Sequence, residues 1–356
     1  MKKLRIGQIS PLNLPVPPKK YGGAEKIIYS LCQELTKRGH RVFLFGTENS
    51  KVSCRIIPVL KKGLWETKPK DCMPYYMYQM AVIAKKTKEL KLDILHDHLG
   101  PITLSLYGQV NVPIIHTLHI PFFNPDRPWA YKKLKSKLVS ISLDQRKPAP
   151  DLNYVDNIYN GIDINSYPFN LKPKNYFLWV GELSPRKGIY EVIKIAKKAK
   201  LKLILIGRIP PIQQYNDFSF FKKYIKKELN KNGILYLGEK TPEELKKYYK
   251  NAKGFLFPLQ WEEPFGLTMI ESMSCGTPVI VFKRGSVPEV VKDKKTGFVV
   301  NPLTKKGEVN LVGFIKAIKD IEKIKRKDCR LRVEENFTIQ KMVNKYEELF
   351  LKTLKK

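Results

Sequence analysis

Apolar positions recur along this chain in two rhythms. "LRIGQIS" and "RVFLFGT" are short apolar runs, as buried strands are. Between them "YGGAEKIIYSLCQELTKRGH" places Ile27, Ile28, Leu31 and Leu35 on one helical face, with Gly39 at the helix end. A proline-rich loop, Pro11 to Pro18, separates the first strand from that helix. Strand, helix and strand in this order predict a βαβ unit and a parallel sheet. "LDILHDH" and "VPIIHTLH" predict two further strands, each ending in histidine, and "KLVSISLDQRK" a strand running into a turn or helix.

The pattern then restarts. "NYFLWVGEL" predicts a strand, "SPRKG" a loop, "IYEVIKIAKKA" a helix, and "KLILIGR" and "ILYLGE" two more strands. "TPEELKKYYKNA" has the start signals of a helix: Thr241 as N-cap, Pro242 at the first position and Glu244 closing a capping box. "GFLFPL", "PVIVF" and "TGFVV" predict short strands, and from about residue 307 onward only helix is expected. The Asn- and Pro-rich stretch "NGIDINSYPFNLKPKN" marks a boundary. The expected organisation is an N-terminal Rossmann-like domain over 1–165, a second over 166–335, and a C-terminal helix over 336–356 able to pack back on the first domain. Two doubly wound α/β domains imply a ligand in the cleft between them, at the carboxyl ends of the strands.

Length and composition agree with two cored domains: 356 residues with an ordinary apolar fraction. No apolar run approaches the roughly 18 residues of a membrane span, and the opening "MKKLRIGQIS" turns polar too soon for a signal peptide. The expectation is a cytoplasmic protein, at most peripheral to a membrane. Five dispersed cysteines without a C-x-x-C pair argue for reduced thiols rather than a disulfide frame or a zinc site. The formal charge is +33, carried mostly by lysines scattered over the whole chain. Diffuse solvated charge is the first explanation, weak association with an anionic membrane surface the second. Nucleic acid is a distant third, because there is no arginine cluster or aromatic RNA-binding motif.

The candidate chemistry centres on "WEEPFGLTMIESMSCGTPVI", which gathers acid around one helix start. Pro264 holds Glu263 extended and suits a first helical turn. A helix is expected to begin near Pro264–Gly266, to end before Gly276 and to turn Leu267, Ile270 and Met273 to the sheet. Gly266 lets a ligand approach the free amides of that terminus, an anion site by hydrogen bonding and by helix dipole. Glu263 and Glu271 would flank it, fitting a ligand with both hydroxyls and phosphate. A lone glutamate there would only favour the dipole, but this loop leaves a strand end, where ligands bind. A glycosidase pair fits poorly, since eight helical residues span roughly 12 Å and those mechanisms use about 5–9.5 Å. A nucleotide-dependent oxidoreductase lacks its G-x-G-x-x-G after the first strand.

"EPFGLTMIE" resembles the E-x7-E signature of retaining glycosyltransferases of family 4, the glycosyl transferases group 1, which have the GT-B fold. "YGGAEKIIYSLCQELTKRGH", "NGID", "VGELSPRKG" and "CGTPVIVFKRGSVPEVV…TGFVV" are similar to other blocks of that family, in the same order. The resemblance implies two Rossmann-like domains with parallel sheets facing a central cleft, acceptor side first and donor side second. It implies transfer of a sugar, with retention and without a metal ion or other cofactor, from a nucleotide-diphosphate sugar (UDP favoured) to a hydroxyl acceptor. That hydroxyl would attack from the side the diphosphate leaves, a donor phosphate oxygen taking its proton. No D-x-D metal-holding motif is present.

By the same resemblance Glu263 would contact donor-sugar hydroxyls and Glu271 the nucleotide ribose. The backbone amides of Phe265, Gly266, Leu267 and Thr268 would meet sugar and phosphate oxygens, and Lys187 would neutralise the diphosphate. Cation and helix-end dipoles then stand where negative charge grows on the leaving group. Gly22 and Gly23 offer a second helix N-terminus, able to reach donor phosphate or an anionic acceptor, or serving only as a helix-start turn. One departure is Glu182, in "GELSPRKG", where the family has an arginine. Arg186 or Arg208 are candidates to supply the missing charge, and a non-catalytic or weakly catalytic sugar-nucleotide or glycan-binding protein of the same fold is the alternative reading. "HTLH" matches a family block that brings His119 to the donor sugar. His96 and His98 share a strand face, a spacing that also suits a metal, with His116 and His119 as further ligands. A substrate contact is preferred over a metal site, which is not assigned, and His96 and His98 stay open between core and cleft positions. "PLNLPVPPKK" and "HIPFFNPDRPW" are expected to frame the acceptor side.

Overall fold

The computed structural model describes residues 2–122, 124, 126–211 and 214–355. Phe123 and Pro125, in the second of the two loops expected to frame the acceptor, lie outside them. The chain forms two compact units. One comprises residues up to Ile162 together with those from Ile339 on; the other is Asp163–Thr338.

The first unit is built on a seven-stranded parallel sheet of order β3-β2-β1-β4-β5-β6-β7. Its strands are β1 (Arg5–Ile9), β2 (Arg41–Thr47), β3 (Arg55–Leu60), β4 (Ile94–Asp97), β5 (Ile114–Thr117), β6 (Lys137–Ser140) and β7 (Tyr154–Asn157). The helix Gly23–Lys37 buries Ile27, Ile28, Leu31 and Leu35, the face its spacing predicts, and Gly39 follows it at φ 86°. The second unit carries a six-stranded parallel sheet of order β10-β9-β8-β11-β12-β13. These strands are β8 (Phe177–Val180), β9 (Leu203–Ile206), β10 (Ile234–Tyr236), β11 (Gly254–Phe257), β12 (Val279–Phe282) and β13 (Gly297–Val300). The capping box of helix Pro242–Asn251 is formed by Thr241 and Glu244 as its sequence dictates.

Each sheet has one point where the strand order reverses, between β1 and β4 in the first unit and between β8 and β11 in the second. In open parallel sheets such a reversal is where the loops leaving the carboxyl ends of neighbouring strands run to opposite faces. Gln8, His98 and Gly22 stand at or beyond the ends of the first pair. Glu182, Lys187 and Glu263 stand beyond the ends of the second.

The final helix, Ile339–Leu354, belongs to the first unit. Glu347 accepts from Arg38 Nη1 at 2.7 Å and lies 2.9 Å from His40 Nε2. The Tyr346 hydroxyl meets Thr117 Oγ1 at 2.8 Å, and the Ile339 amide donates to Ile162 O at 3.1 Å. Among the described residues no helix is long and apolar enough to cross a membrane.

Candidate active site

In the second unit, backbone geometry sets the charged side chains. β8 pairs with β9 in parallel, Val180 opposite Ile206, so the residues two beyond each strand, Glu182 and Arg208, come out side by side. Leu183 N–H donates to Arg208 O at 2.9 Å and holds that register past the strands. Glu182 is fully buried. Its Oε2 accepts from Arg208 Nε at 2.6 Å and pairs with Nη2, while Oε1 accepts from Arg186 Nη2 at 2.8 Å. The acid at the departing position is therefore spent on two guanidinium groups and holds both beside the same strand ends.

The next loop is pressed against the end of β11. Gly188 sits at φ 71°, and a Cβ there would lie 1.9 Å from Pro258 O, so only glycine permits the approach. Trp179 Nε1–H donates to Lys187 O at 3.1 Å and Gln260 N–H to Arg186 O at 3.0 Å. So positioned, Lys187 Nζ donates to Glu263 Oε2 at 2.7 Å and lies 4.4 Å from the Trp261 ring centroid. Trp261 Nε1–H donates to the same Glu263 oxygen at 2.8 Å. Glu262 turns the other way, to Arg284 at 3.1 Å and to the Gly285 amide. The two adjacent glutamates thus diverge, and only Glu263 joins the buried network.

The helix after this loop spans Leu267–Ser274, with Gly266 as its N-cap at φ 84°. Met269, Ile270 and Met273 are its fully buried apolar residues. Leu267, expected to face the sheet, is half-buried instead, because the left-handed turn at Gly266 rotates the helix start so that Met269 takes the inward place. Phe265 is buried against Phe337, and its carbonyl accepts from Ser286 Oγ at 3.0 Å. The amides of Gly266, Leu267 and Thr268 precede the first acceptor of the helix, as at any helix start. Glu271 is buried, its Oε2 accepting from the Tyr249 hydroxyl at 3.1 Å, and Tyr167 hydrogen-bonds it too. Burial pushes both phenols well above their ordinary range, so they remain donors to the carboxylate.

In the first unit the polar groups are of a different kind. Gln8 on β1 lies opposite His96 on β4, and His98 follows that strand. His98 Nε2 is 2.8 Å from Gln8 Oε1, and His98 Nδ1 is 2.8 Å from His119 Nε2. The amide oxygen can only accept, so His98 carries its proton on Nε2. Its Nδ1 then accepts from His119 Nε2–H, which leaves His119 Nδ1 as a bare acceptor. Burial drives the pKa of His96 and His98 well below the ordinary histidine range and that of His119 down to about 4, so all three are neutral at pH 7. His96 turns to Thr117, and His116 pairs with Asp97 at 2.8 Å beneath Tyr107 and Thr103. His98 and His119 therefore meet each other, while His96 and His116 turn to separate partners. Among the described residues no three metal-ligating groups converge.

Gly22 caps helix Gly23–Lys37 at φ 146°, and a Cβ on it would meet Pro18 at 2.7 Å and Glu25 Oε2 at 2.9 Å. Glu25 is buried one turn in, and burial raises its pKa to about 7. A carboxyl that ionises reluctantly beside a candidate anion site limits the repulsion it would exert there. Sequence reasoning missed Glu25, the Gln8–His98 link and Trp261 as a partner of Glu263. The "GGAE" spacing alone could have drawn attention to Glu25, because it places an acid in the helix's first turn.

Residues 163–336 match the family described as glycosyl transferases group 1, and residues 21–147 match Glycosyltransferase Family 4. The chain belongs to this group of GT-B glycosyltransferases and is a glycosyltransferase. Along its length it is 22% identical to the lipopolysaccharide 1,2-N-acetylglucosaminetransferase of Salmonella typhimurium, covering 98% of each chain. It is 23% identical to the N-acetyl-alpha-D-glucosaminyl L-malate synthase of Bacillus anthracis, covering 94% and 95%. In structure it is similar to sucrose-phosphate synthase from Thermosynechococcus elongatus, with a TM-score of 0.81 at 19% identity over 98% and 99% of the two chains. It is also similar to Anabaena HepE in complex with UDP-glucose, with a TM-score of 0.73 at 18% identity over 98% and 100%.

Proposed function

We propose that the protein transfers a sugar from a UDP-sugar to a hydroxyl acceptor with retention of configuration and without a metal ion. The observation that carries this reading is the cationic set beyond β8 and β9. Lys187 is held by Glu263, and Arg186 and Arg208 are held by Glu182, all in the unit that contains the helix start at Gly266. Three fixed cations and a helix N-terminus supply the charge stabilisation a departing diphosphate requires. The solved relative with UDP-glucose bound supports uridine as the nucleotide.

In this reading Lys187 and the two arginines meet the diphosphate, with the amides of Phe265 to Thr268 on sugar and phosphate oxygens. Glu263 orients donor-sugar hydroxyls, and Glu271, set by its two tyrosines, takes the ribose. His119, neutral and with Nδ1 free to accept, receives a hydroxyl of the donor sugar. Gly22 and Gly23 present their helix start to phosphate or to an anionic acceptor. The acceptor hydroxyl attacks on the face from which UDP departs, and a phosphate oxygen takes its proton. Attraction to an anionic bilayer completes the reading, supported by the net charge of +33.

The test is turnover against a panel of nucleotide sugars, with and without EDTA. Release of UDP unaffected by chelation is the expected result. Donor binding without nucleotide release would mark a binding protein of the same fold, and loss of turnover restored by a divalent ion would end the metal-independent mechanism.

A further inference from the structure

The helix Met73–Glu89 is apolar on two sides at its start. Its inward side, Gln79, Met80, Ile83 and Thr87, is buried. Its first turns also carry Met73, Met77 and Tyr78 in solvent, spread around the helix beyond that buried side, and Met77 and Tyr78 are 64% and 57% exposed. A solvent-facing stretch of a globular helix is ordinarily polar, and large side chains this open in one group mark an interaction surface. The patch extends through neighbouring residues. Trp65 and Tyr21, both exposed, stack with ring centroids 6.2 Å apart. Asn13 ties them to the helix, accepting from the Trp65 amide on its carbonyl at 3.2 Å and from the Tyr76 hydroxyl on its side chain at 3.2 Å.

The surroundings of this patch are basic. Lys19, Lys20, Lys61, Lys62, Lys68 and Lys70 are all exposed, while its nearby acids are already engaged. Glu66 pairs with Lys62 at 2.7 Å, and Asp71 accepts the Met73 amide at 2.9 Å. Further along the helix, past Ala81, Lys85 and Lys88 follow on the exposed side. We infer that this surface docks on an anionic lipid bilayer: methionines enter the acyl boundary, the Trp65, Tyr21 and Tyr78 rings lie at headgroup level, and the lysines meet lipid phosphate. The charge favours a bilayer over a second copy of the chain, because two surfaces of this sign repel each other. The inference rests on the bilayer attraction in the proposed function and not on the transfer reaction, and its measurement involves no turnover.

A protein of this charge adheres weakly to any anionic vesicle, so the decisive comparison is between two variants with equal charge change. Co-sedimentation is measured with vesicles of phosphatidylglycerol mixed with phosphatidylcholine, and with phosphatidylcholine alone, at about 0.15 M salt. The full-length protein should bind the mixed vesicles and not the neutral ones. Met77→Glu/Tyr78→Glu should weaken binding by about tenfold or more. Leu235→Glu/Val312→Glu, at exposed apolar positions of the other unit, should change it by less than about twofold. All four side chains are exposed, and matching melting temperatures verify that both variants fold. Equal losses in the two variants would reduce the effect to diffuse charge and overturn the proposal. Absent vesicle binding, or a self-associated protein that Met77→Glu/Tyr78→Glu dissociates without altering vesicle binding, would overturn it as well.

Discussion

The candidate residues of the second unit are charge pairs, Lys187 with Glu263 and the two arginines with Glu182. Those of the first unit are a chain of uncharged groups, Gln8 to His98 to His119. Buried charge pairs fix position through strong, directional contacts, and each partner removed leaves an uncompensated ion. A neutral imidazole chain fixes a tautomer instead, and it fails by gaining a proton rather than by losing a partner. The two halves should therefore break differently, one under substitution and the other under acid.

The largest effect is expected at Glu182. Glu182→Arg places a third cation against Arg186 and Arg208, and breaking a buried pair costs about 3–5 kcal/mol of stability. Denaturant unfolding reads that loss, and calorimetry should show UDP binding weakened as well, because both guanidinium groups lose their anchor. Tighter UDP binding would instead show that the acid opposes the phosphate. Lys187→Ala should follow, at ~2–5 kcal/mol or about 30- to 5,000-fold in kcat/KM, as for a buried charge pair cut on one side. An unchanged kcat/KM would reduce Lys187 to a partner of Glu263 alone.

The pH response tests the other half. Glu25 has its folded pKa raised to about 7, so its contribution is complete below the ordinary carboxyl range and is lost as pH rises through 7. Glu25→Gln should remove about 3 kcal/mol of that slope, at 1.36 kcal/mol per unit. The histidines act with the opposite sign. Their folded pKa values are depressed, to about 4 for His119, so stability is complete above the ordinary histidine range and falls as pH drops toward 4. The two windows overlap with opposite signs, so melting curves from pH 4 to 9 should show a steeper acid limb in Glu25→Gln than in wild type, and the wild-type decline just below pH 7 should be absent from the variant. The smallest expected effect separates Glu263 from Glu271 in the second unit: Glu271→Gln should weaken UDP binding by about 1–2 kcal/mol, the scale of one charged hydrogen bond. Glu263→Gln should slow transfer more than it weakens UDP. Equal UDP affinity in Glu271→Gln and wild type would remove the ribose assignment.

Local signals were legible in the sequence and distant ones were not. Thr241 and Glu244 are three residues apart, so the capping box could be read directly, and Gly266 announced a close backbone approach at the helix start. β3 and the helix Met73–Glu89 gave no clean period: Pro58 interrupts the strand, and Met73, Tyr75, Met77 and Tyr78 spread apolar side chains around the helix start. The partners of Glu182 depended on strand register, since Arg208 lies 26 residues away and meets it only because β8 and β9 run parallel. The Gln8–His98 contact spans 90 residues, and Asp97, lying between two histidines in sequence, proved to serve a third.

The last helix has a practical consequence for recombination. Because Ile339–Leu354 packs with the first unit, that unit is discontinuous in sequence and the second is inserted within it. A chimera made at a single crossover near Ile162 would give the recipient a first unit whose final helix came from a foreign parent. Tyr346 and Glu347 would then have to meet Thr117, Arg38 and His40 across parental lines. Exchanging second units between such enzymes requires two junctions, before Asp163 and after Thr338, so that the inserted segment is an internal cassette and the flanking segments stay with the same ancestor.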